Sequence, residues 1–477
     1  MSLSRWITGL LSVTALLALT LSSPAGAVGT ESPRPWTAPC PESDRFGVAM
    51  VGWELDAYDV GQLNAGWYHN FGLLPTPTRP AGMQFVQTIR LSDDGPFPDR
   101  ACSDCPTWQS LGALVAANPG SLWAVGNEQD RQDYVTATRY AQLYHEFYYF
   151  LKTQDPSCQV AIGGVVQTTP IRLQYLDMIL DAYQNQYGRA MPVDVWNIHN
   201  YVLREGVTGW GCGIPPGTNP ALARDYGLQD HDNIDWWTEQ VIMMREWMRD
   251  RGYRDRPLII SEFGILMPDI YGYDYPRVRE FMLETFGWLM TAIDPDTGYP
   301  ADGNRLVQAW AWYSLNDAHF EGFDSWNHVF DPDTRVITPL GLDFADYTAP
   351  LGTPAVDLQP VGLLHSPPEP EGGTLVTVTM TAQVYNGGGS PASNVVVQFQ
   401  RDSAPAGTSV ISSLAPGDAG SVSVVWPNLN WGQSYQASVT VDPGGLVPEC
   451  NEANNTLSTS FVVTDLRFYL PVVRRPW

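Results

Sequence analysis

The chain has 477 residues, more than one ordinary hydrophobic core accommodates, so we expect two domains. Its 51 acidic and 26 basic residues give a formal net charge of −25, which excludes nucleic acid and anionic membrane surfaces as partners because both require a basic footprint. Neutral ligands are compatible with this charge, and the 18 tryptophans suffice to fill a large core and still line a groove.

Residues 1–27 have the three parts of a secretory signal peptide. One positive charge at Arg5 precedes an apolar run, and the segment ends on the small residues AGA. We predict cleavage before Val28, an N-terminal lead over residues 28–45, and a mature protein that is secreted or held at the cell surface. An uncleaved membrane anchor is the alternative, which the shortness of the apolar run disfavours.

The six cysteines would then face an oxidising compartment, in which disulfides form. Cys102 and Cys105, in the sequence CSDC, suit a local disulfide. A zinc site is the alternative for this pair, but no second CxxC or His pair supplies the remaining ligands. The sequence does not define which cysteines pair.

Eight short apolar runs alternate with helical or loop segments through the first 350 residues. Continuous apolar runs, as opposed to alternating ones, are typical of parallel strands buried on both faces. Amphipathic blocks such as TATRYAQLYHEFYYFLKTQ lie between them, so the sequence predicts an α/β fold, a (β/α)8 TIM barrel over residues 46–348. The runs are FGVAMVGW (46–53), AGWYHNFG (65–72), MQFVQTIRL (83–91), SLWAVGNE (121–128), CQVAIGGVV (158–166), PVDVWNIHNY (192–201), RPLIISEFG (256–264) and LVQAWAWYSL (306–315).

The composition changes near residue 349. Residues 349–372 are rich in Pro and Gly, which is typical of a linker and the start of a new domain. Beyond them, segments such as TLVTVTMTAQVYN and SVSVVW alternate with period two and have no helical period. We predict a small all-β, Ig-like sandwich over residues 354–464, followed by a C-terminal tail over residues 465–477 that is too short to cross a membrane.

Carboxylates at predicted strand ends are the candidates for chemistry. The sequence has no GxSxG nucleophile elbow, no GxxxxGK[ST] phosphate loop and no HExxH zinc pair. Glu128 ends the fourth run and Glu262 the seventh, and active sites of parallel barrels gather at the C-terminal ends of the strands. Cleavage of a glycosidic bond requires such a pair, one carboxyl protonated and one ionised. Each glutamate taken alone is equally well an acid that starts a helix.

The strand-end motifs resemble those of clan A of the glycoside hydrolases. The succession GWYHNFG, GNEQD, WNIHNY and ISEFG is similar to the group called glycosyl hydrolase catalytic core, relatives of endo-β-1,3-glucanases, over roughly residues 45 to 345. The resemblance implies that Glu128 is the general acid/base and Glu262 the nucleophile. It also implies that Asn127 hydrogen-bonds the 2-hydroxyl of the sugar.

The resemblance further implies substrate contacts at other strand ends. His199 and Tyr201 lie two residues apart and so share a face, and they match a His-x-Tyr position that holds Glu262 ionised. A satisfied core histidine is an equal alternative for His199. Trp312 matches a platform on which clan members stack a sugar, whereas Trp310, one step deeper, is expected in the core.

Candidate subsite residues also follow the first two strands. These are Trp53 with Glu54 and, after the second strand, Asn70 next to His69. Arg90 leaves the third run, whereas many clan relatives carry their arginine on the second strand, so the resemblance implies no role for it. We expect the acidic and aromatic insert NDAHFEGFDSWNHVFDPDTR, after the eighth run, to wall one side of a cleft.

The second domain resembles the CARDB type of bacterial extracellular Ig-like module. The segments VDLQPVGLL, SLAPGDAGSVSVVW and above all the closing EANNT after an Asp-Pro turn carry the resemblance. Cys450 stands where that pattern usually has a small polar residue. Such modules space enzymes or attach them to a cell surface, and no row of aromatic residues argues for sugar binding here.

The sequence as a whole predicts a secreted, retaining glycoside hydrolase that needs no metal or other cofactor. Its substrate is expected to be a β-linked polysaccharide or oligosaccharide, with β-glucan favoured and xylan or mannan as alternatives. An inactive carbohydrate-binding or adhesion protein is the alternative from another class. In the retaining geometry the carboxyl groups stand about 5–5.5 Å apart, and we expect the ionised Glu262 to raise the pKa of Glu128.

Overall fold

The computed structural model describes residues 41–92, 107–320, 322–352, 356–367, 370–372, 375–447, 449 and 454–465. The predicted signal peptide, the CSDC pair, Cys450 and the tail beyond residue 465 lie outside the described residues. Among the helices within these ranges, none combines the length and the apolar character needed to span a membrane.

Each of the eight predicted apolar runs contains a strand. Almost every residue of these strands is buried, which explains why the runs lack alternation. The third run holds two short segments, β3 and β4, separated by one residue. The strands are β1 (Phe46–Ala49), β2 (Trp67–His69), β3 (Gln84–Phe85), β4 (Gln87–Ile89), β5 (Leu122–Val125), β6 (Gln159–Ile162), β7 (Trp196–His199), β8 (Leu258–Phe263) and β9 (Ala309–Tyr313).

These strands pair in parallel in two sheets, with the orders β3-β2-β1-β9-β8-β7 and β4-β5-β6. The sheets adjoin on one side because only Val86 separates β3 from β4. On the other side, isolated parallel bridges join Ala161 to Val195 and Val165 to Ile198. The order of neighbours is therefore cyclic, and the C-terminal ends of the strands face one common side.

In the part of the chain that the structure describes, six α-helices follow the strands from β4 onward. Side-chain caps define several of their starts: Asn233 accepts a hydrogen bond from the amide of Trp236 at 3.0 Å, and Thr338 accepts one from Gly341 at 3.1 Å. The helices are α1 (Trp108–Ala117), α2 (Ala137–Gln154), α3 (Pro170–Tyr187), α4 (Ile234–Asp250), α5 (Tyr275–Thr291) and α6 (Pro339–Thr348).

The first two connections differ from the regular strand–helix alternation that the sequence predicts. They contain only 3₁₀ turns, at Leu55–Ala57, Val60–Leu63 and Pro80–Gly82. The second connection carries three prolines within six residues, in PTPTRP, and proline removes the amide donors that an α-helix needs. After β9, the acidic and aromatic insert forms a small antiparallel hairpin of β10 (His319–Phe320) and β11 (Phe323–Asp324).

The C-terminal region is all β, as predicted. Two antiparallel sheets have the orders β12-β14-β17 and β16-β15-β18-β19. Their inward side chains, among them Met380, Val397 and Phe399, form a core that is separate from the core of residues 46–344. The strands are β12 (Leu358–Ser366), β13 (Glu371–Gly372), β14 (Leu375–Asn386), β15 (Ala392–Arg401), β16 (Ala404–Leu414), β17 (Ala419–Asn430), β18 (Ser434–Val441), β19 (Thr456–Val462) and β20 (Thr464–Asp465).

Candidate active site

The two glutamates that end predicted strands lie together at the C-terminal side of the parallel strands. Glu262 is the fifth residue of β8, and Glu128 lies three residues beyond β5. Only 1% of Glu128 and 5% of Glu262 is exposed. Two carboxyl groups buried this deeply require nearby partners, since an isolated buried carboxylate is strongly unfavourable.

His199 lies between the two glutamates. Its Nδ1 atom is 3.1 Å from Oε1 of Glu128 and 3.6 Å from Oε2 of Glu262. One carboxylate oxygen of each glutamate and one ring nitrogen of the histidine all lie within 4.8 Å of one another. The His199 side chain is 1% exposed, so bulk water has little access to the three groups.

Glu128 is presented by an unusual backbone turn. Its φ is +45°, in the left-handed region that residues with a Cβ rarely adopt. Its amide donates to the carbonyl of Gly164 at 2.9 Å, and its own carbonyl accepts from the amides of Arg131 and Gln132. Asp133 braces the turn by accepting from the amides of Asn127 and Leu91, both at 2.9 Å. The turn aims the carboxylate towards His199.

Tyr201 and Arg131 complete the contacts of the two carboxylates. The Tyr201 hydroxyl donates to Oε1 of Glu262 at 2.7 Å, and Nη1 of Arg131 lies 3.1 Å from Oε2 of Glu128. Sequence reasoning selected Tyr201 and missed Arg131. The spacing of three residues between Glu128 and Arg131, typical of ion pairs on one helical face, was the available signal.

The charges of this cluster set its protonation. Burial alone raises the pKa of Glu128, but the hydrogen bond and charge of His199, with the charge of Arg131, outweigh it and hold that pKa well below its ordinary value. Burial raises the pKa of Glu262, and the nearby Glu128 adds to the rise. Burial lowers the pKa of His199, but Glu262 and Glu128 outweigh it and raise that pKa above its ordinary value.

The expectation of a raised pKa for Glu128 is therefore wrong for the free protein. It considered only the repulsion between the two glutamates, whereas two cationic groups contact Glu128. The repulsion appears instead at Glu262, whose Oε2 has no hydrogen-bond partner among the described residues.

The other predicted contact residues divide into buried and exposed groups. Asn127 is buried beside Glu128, and its Nδ2 lies 3.3 Å from Oε1 of Gln132. Trp312 has no exposed surface; its Nε1 donates to the carbonyl of Asn327 at 2.7 Å and its ring packs edge-on against Phe263. In this structure Trp312 is a core residue, which differs from the sugar-stacking platform predicted for it, because its ring packs against Phe281 and Phe286 of α5.

Of the predicted contact residues after β1 and β2, two are exposed and one is buried. Trp53 is 61% exposed and rests on Gly72, where a Cβ would meet its ring at 2.6 Å. Glu54 is exposed, 3.8 Å from Nη2 of Arg335. Asn70 is buried and donates to the carbonyl of Gly52 at 3.1 Å. Of the three, Trp53 presents an open face to a ligand.

Three residues that neighbour the predicted contact residues, His69, Trp310 and Arg90, have structural contacts. His69 is buried with Nε2 2.7 Å from the carbonyl of Ser261, and burial lowers its pKa to about 3, so it stays neutral. Trp310 is fully buried. Arg90 pairs with Asp133 at 2.8 Å and so holds the turn that presents Glu128.

A mostly apolar pocket begins at Arg131. Its wall includes the aromatic side chains of Trp210, Tyr271 and Phe320, which lie in the connections after β7, β8 and β9. Because Arg131 also contacts Glu128, this pocket adjoins the pair of carboxylates. Sequence reasoning did not select these aromatic residues, since they lie in loops without a periodic pattern.

A buried ion network braces the same side of the fold. Arg172 of α3 contacts Asp130 at 2.7 Å and also pairs with Glu205, and neither its side chain nor those of its partners reach solvent. The network links the turn after β5 to the connection after β7. Cys158 and Cys212 are buried free thiols, so the described residues contain no disulfide between them, and the other cysteines lie outside the described residues.

Glu128, His199 and Glu262 also satisfy the distances of a three-ligand metal site. Arg131 already pairs with Glu128, and Nδ1 of His199 lies 3.1 Å from the same carboxylate, which with Glu262 raises the pKa of the imidazole. These two contacts favour a proton over a divalent cation at the centre of the cluster.

Comparison with known proteins gives results for both regions. Residues 356–459 match the model of the CARDB family. A putative cell surface protein from Methanosarcina acetivorans (its domain 272–376) is 30% identical, with a TM-score of 0.21, covering 24% of this chain and 96% of that one. No curated protein matches the chain.

Two solved structures are similar to the N-terminal region at low identity. A GH128 (subgroup II) endo-β-1,3-glucanase from Sorangium cellulosum is 16% identical with a TM-score of 0.40, covering 63% of this chain and 97% of that one. A GH128 (subgroup VII) oligosaccharide-binding protein from Trichoderma gamsii is 12% identical with a TM-score of 0.40, covering 66% and 97%.

Proposed function

The chain carries a CARDB-family domain at residues 356–459, and we propose that the α/β region in front of it is a retaining glycoside hydrolase. The observation that carries the proposal is the buried pair of Glu128 and Glu262, with carboxylate oxygens within 4.8 Å of each other. Inverting enzymes separate their carboxyl groups by about 6.5–9.5 Å to admit a water, whereas retaining enzymes keep them about 5–5.5 Å apart. The observed separation favours direct attack by one carboxylate.

The proposed fold of this region is a (β/α)8 barrel. The cyclic order of parallel strands supports it, as does the position of both glutamates at the C-terminal side, where such barrels carry their active sites. The 3₁₀ turns after β1 and β2 replace two of the eight helices.

In the proposed first step Glu262, ionised, attacks the anomeric carbon while Glu128 protonates the departing oxygen. The pKa of Glu128 is lowered in the free protein and that of His199 is raised, so Glu128 is ionised before substrate binds. We therefore propose that the proton for the first step is stored on His199. It crosses the 3.1 Å from Nδ1 to Oε1 of Glu128 as the glycosidic oxygen takes it up. The glycosyl group is then an ester on Glu262, and His199 is neutral.

In the second step Glu128 takes a proton from water and the water oxygen attacks the anomeric carbon. The carbon–oxygen bond to Glu262 breaks, Glu262 leaves as a carboxylate, and the proton returns to His199. Tyr201 donates to Glu262 in the free protein at 2.7 Å and stabilises the charge that reappears there. The two displacements restore the original anomeric configuration.

The proposed substrate is a neutral β-linked polysaccharide, with β-glucan favoured and xylan or mannan as alternatives on the same groups. A net charge of −25 repels acidic polymers, and the aromatic pocket beside Glu128 suits the apolar faces of sugar rings. We further propose that residues 1–27 direct secretion and that the CARDB domain spaces the enzyme or attaches it to the cell surface.

The test is hydrolysis of a panel of β-glucans, xylan and mannan by the purified full chain, with product sizing and NMR of the released anomer. We expect one polysaccharide to be cleaved with retention, in the presence of EDTA as well as in its absence. Glu262→Gln should lower kcat at least 10³-fold, whereas Glu284→Gln, at an exposed position of α5, should change it less than twofold. An inverted product, or full activity of Glu262→Gln, would refute the proposal.

A further inference from the structure

A second pocket lies in the insert after β9, outside the cluster of carboxylates. Its volume is about 430 Å³, within the range of small-molecule sites. Its lining includes Trp326, the histidines His319 and His328, and the four acidic residues Asp269, Asp324, Asp331 and Asp333. None of the proposed catalytic groups is among these residues.

The pocket is fixed to the end of β9. The carbonyl of Asn327, next to Trp326, accepts from Nε1 of Trp312 at 2.7 Å and from the amide of Ser314 at 3.1 Å. The amide of Val329 donates to the carbonyl of Ser314 at 3.1 Å. Trp312 in turn packs against Phe263, the residue after Glu262. The insert is therefore tied by backbone contacts to the strand beside the proposed nucleophile.

The pocket also adjoins the aromatic pocket that begins at Arg131. His319 lines the one and Phe320, the next residue of β10, lines the other. In the connection after β8, Asp269 lines the pocket in the insert and Tyr271 lines the aromatic pocket. The hairpin and this connection thus separate two neighbouring cavities on the same side of the fold.

The lining has the chemistry of a site for a neutral polyhydroxyl ring. Trp326 is 38% exposed, and its ring is held by Tyr275 at a centroid distance of 5.8 Å, which leaves aromatic surface for a sugar face. Asp324 and His319, 3.2 Å apart, offer acceptors and a donor for vicinal hydroxyls. The described residues that line the pocket include no arginine or lysine, so an anionic group would be unpaired there.

We propose that this pocket is a distal subsite that binds one neutral sugar unit of the polysaccharide whose cleavage is proposed for Glu128 and Glu262. The inference rests on that proposed function for the identity of the polymer. It makes the substrate a chain long enough to reach from the carboxylate pair past the hairpin, and it predicts that affinity grows with chain length.

The test measures binding without hydrolysis. The full chain carrying Glu262→Gln is titrated calorimetrically with β-linked disaccharides and hexasaccharides of glucose, xylose and mannose. We expect Trp326→Ala to weaken binding of the preferred hexasaccharide about tenfold and to leave disaccharide binding unchanged. Asp324→Ala should weaken the hexasaccharide severalfold. The matched control is Trp431→Ala, a tryptophan of the second domain that is 48% exposed, which should change neither affinity.

Each outcome decides the inference. Equal weakening of both ligands by Trp326→Ala, or no weakening of the hexasaccharide, overturns it, and so does the absence of hexasaccharide binding. Melting temperatures of all variants exclude loss of fold as the cause. If Trp326→Ala weakens only the hexasaccharide while the unsubstituted chain hydrolyses no polysaccharide, the subsite stands and the proposed catalysis fails.

Discussion

His199 makes the two glutamates one titrating unit. Its Nδ1 atom lies 3.1 Å from Oε1 of Glu128 and 3.6 Å from Oε2 of Glu262, so the protonation of each residue depends on that of the other two. Two carboxylates with no group between them would only repel each other, whereas here the imidazole of His199 lies between them. In the proposed mechanism, the imidazole between them supplies the proton for the acid step while both carboxylates remain charged.

This arrangement predicts a pH profile of kcat/KM with both limbs displaced upward. Glu262 must be ionised to attack, and its pKa is raised, so activity is lost below a pH higher than the ordinary carboxyl value of 4.5. His199 must carry the proton, and its pKa is also raised, so activity persists beyond 6.5 before it falls. Initial rates at low substrate across pH 3–10 measure both limbs.

His199→Asn should remove the stored proton, lower kcat/KM about 100-fold and change the position of the alkaline limb. His365→Asn, in the second domain, should leave the profile unaltered. An acid limb below the ordinary carboxyl value, or an alkaline limb that His199→Asn does not move, would contradict this account.

At the scale of elements, Arg172 holds two connections together. It joins Asp130, in the turn after β5, to Glu205, after β7, and donates to the carbonyls of Cys212 and Gly213 at 3.1 and 3.2 Å. Arg172→Met would leave two buried carboxylates without their counter-charge. We expect the free energy of unfolding to fall by about 3–5 kcal/mol, as measured by urea titration.

The matched control for this change is Arg79→Met, at an exposed position before β3, for which we expect a change below about 0.5 kcal/mol. Similar stability of the two variants would mean that the network does not support the site. Loss of hydrolysis by Arg172→Met at full stability would instead assign Arg172 a direct part in the chemistry.

The strands were predictable because their signal is local. Each apolar run of eight to ten residues contains at least one strand, and the positions of Glu128 and Glu262 follow from where two of the runs end. The absence of α-helices after β1 and β2 was harder to predict, since both segments lack a helical pattern and only the second has prolines that exclude a helix. Contacts between distant elements were not predictable: the burial of Trp312 against α5 and the lowered pKa of Glu128 both depend on such contacts.

At the scale of the whole chain, the grouping of the buried hydrophobic residues predicts two separable domains. Two of the three described clusters contain only residues of 46–344, and the third contains only residues of 358–463. We expect a protein ending at residue 353 to fold and to hydrolyse soluble oligosaccharides with a kcat within about twofold of the full chain. Circular dichroism and rate measurements on both proteins test this.

Hydrolysis rates of the full chain and of the truncated protein on insoluble polysaccharide test what the CARDB domain contributes. Equal rates of the two proteins there would leave it a spacer. An unfolded or inactive truncated protein, with the full chain active, would show that the domains fold as one unit.

The left-handed backbone at Glu128 bears on how such a site persists. A side chain in that conformation costs about 1–2 kcal/mol that glycine would not incur. Stability alone therefore favours losing the side chain at this position, and only a benefit from the carboxylate opposes that loss. Under the proposed function that benefit is the acid–base step, so the strained turn at Glu128 is a stability cost that the fold carries for the site.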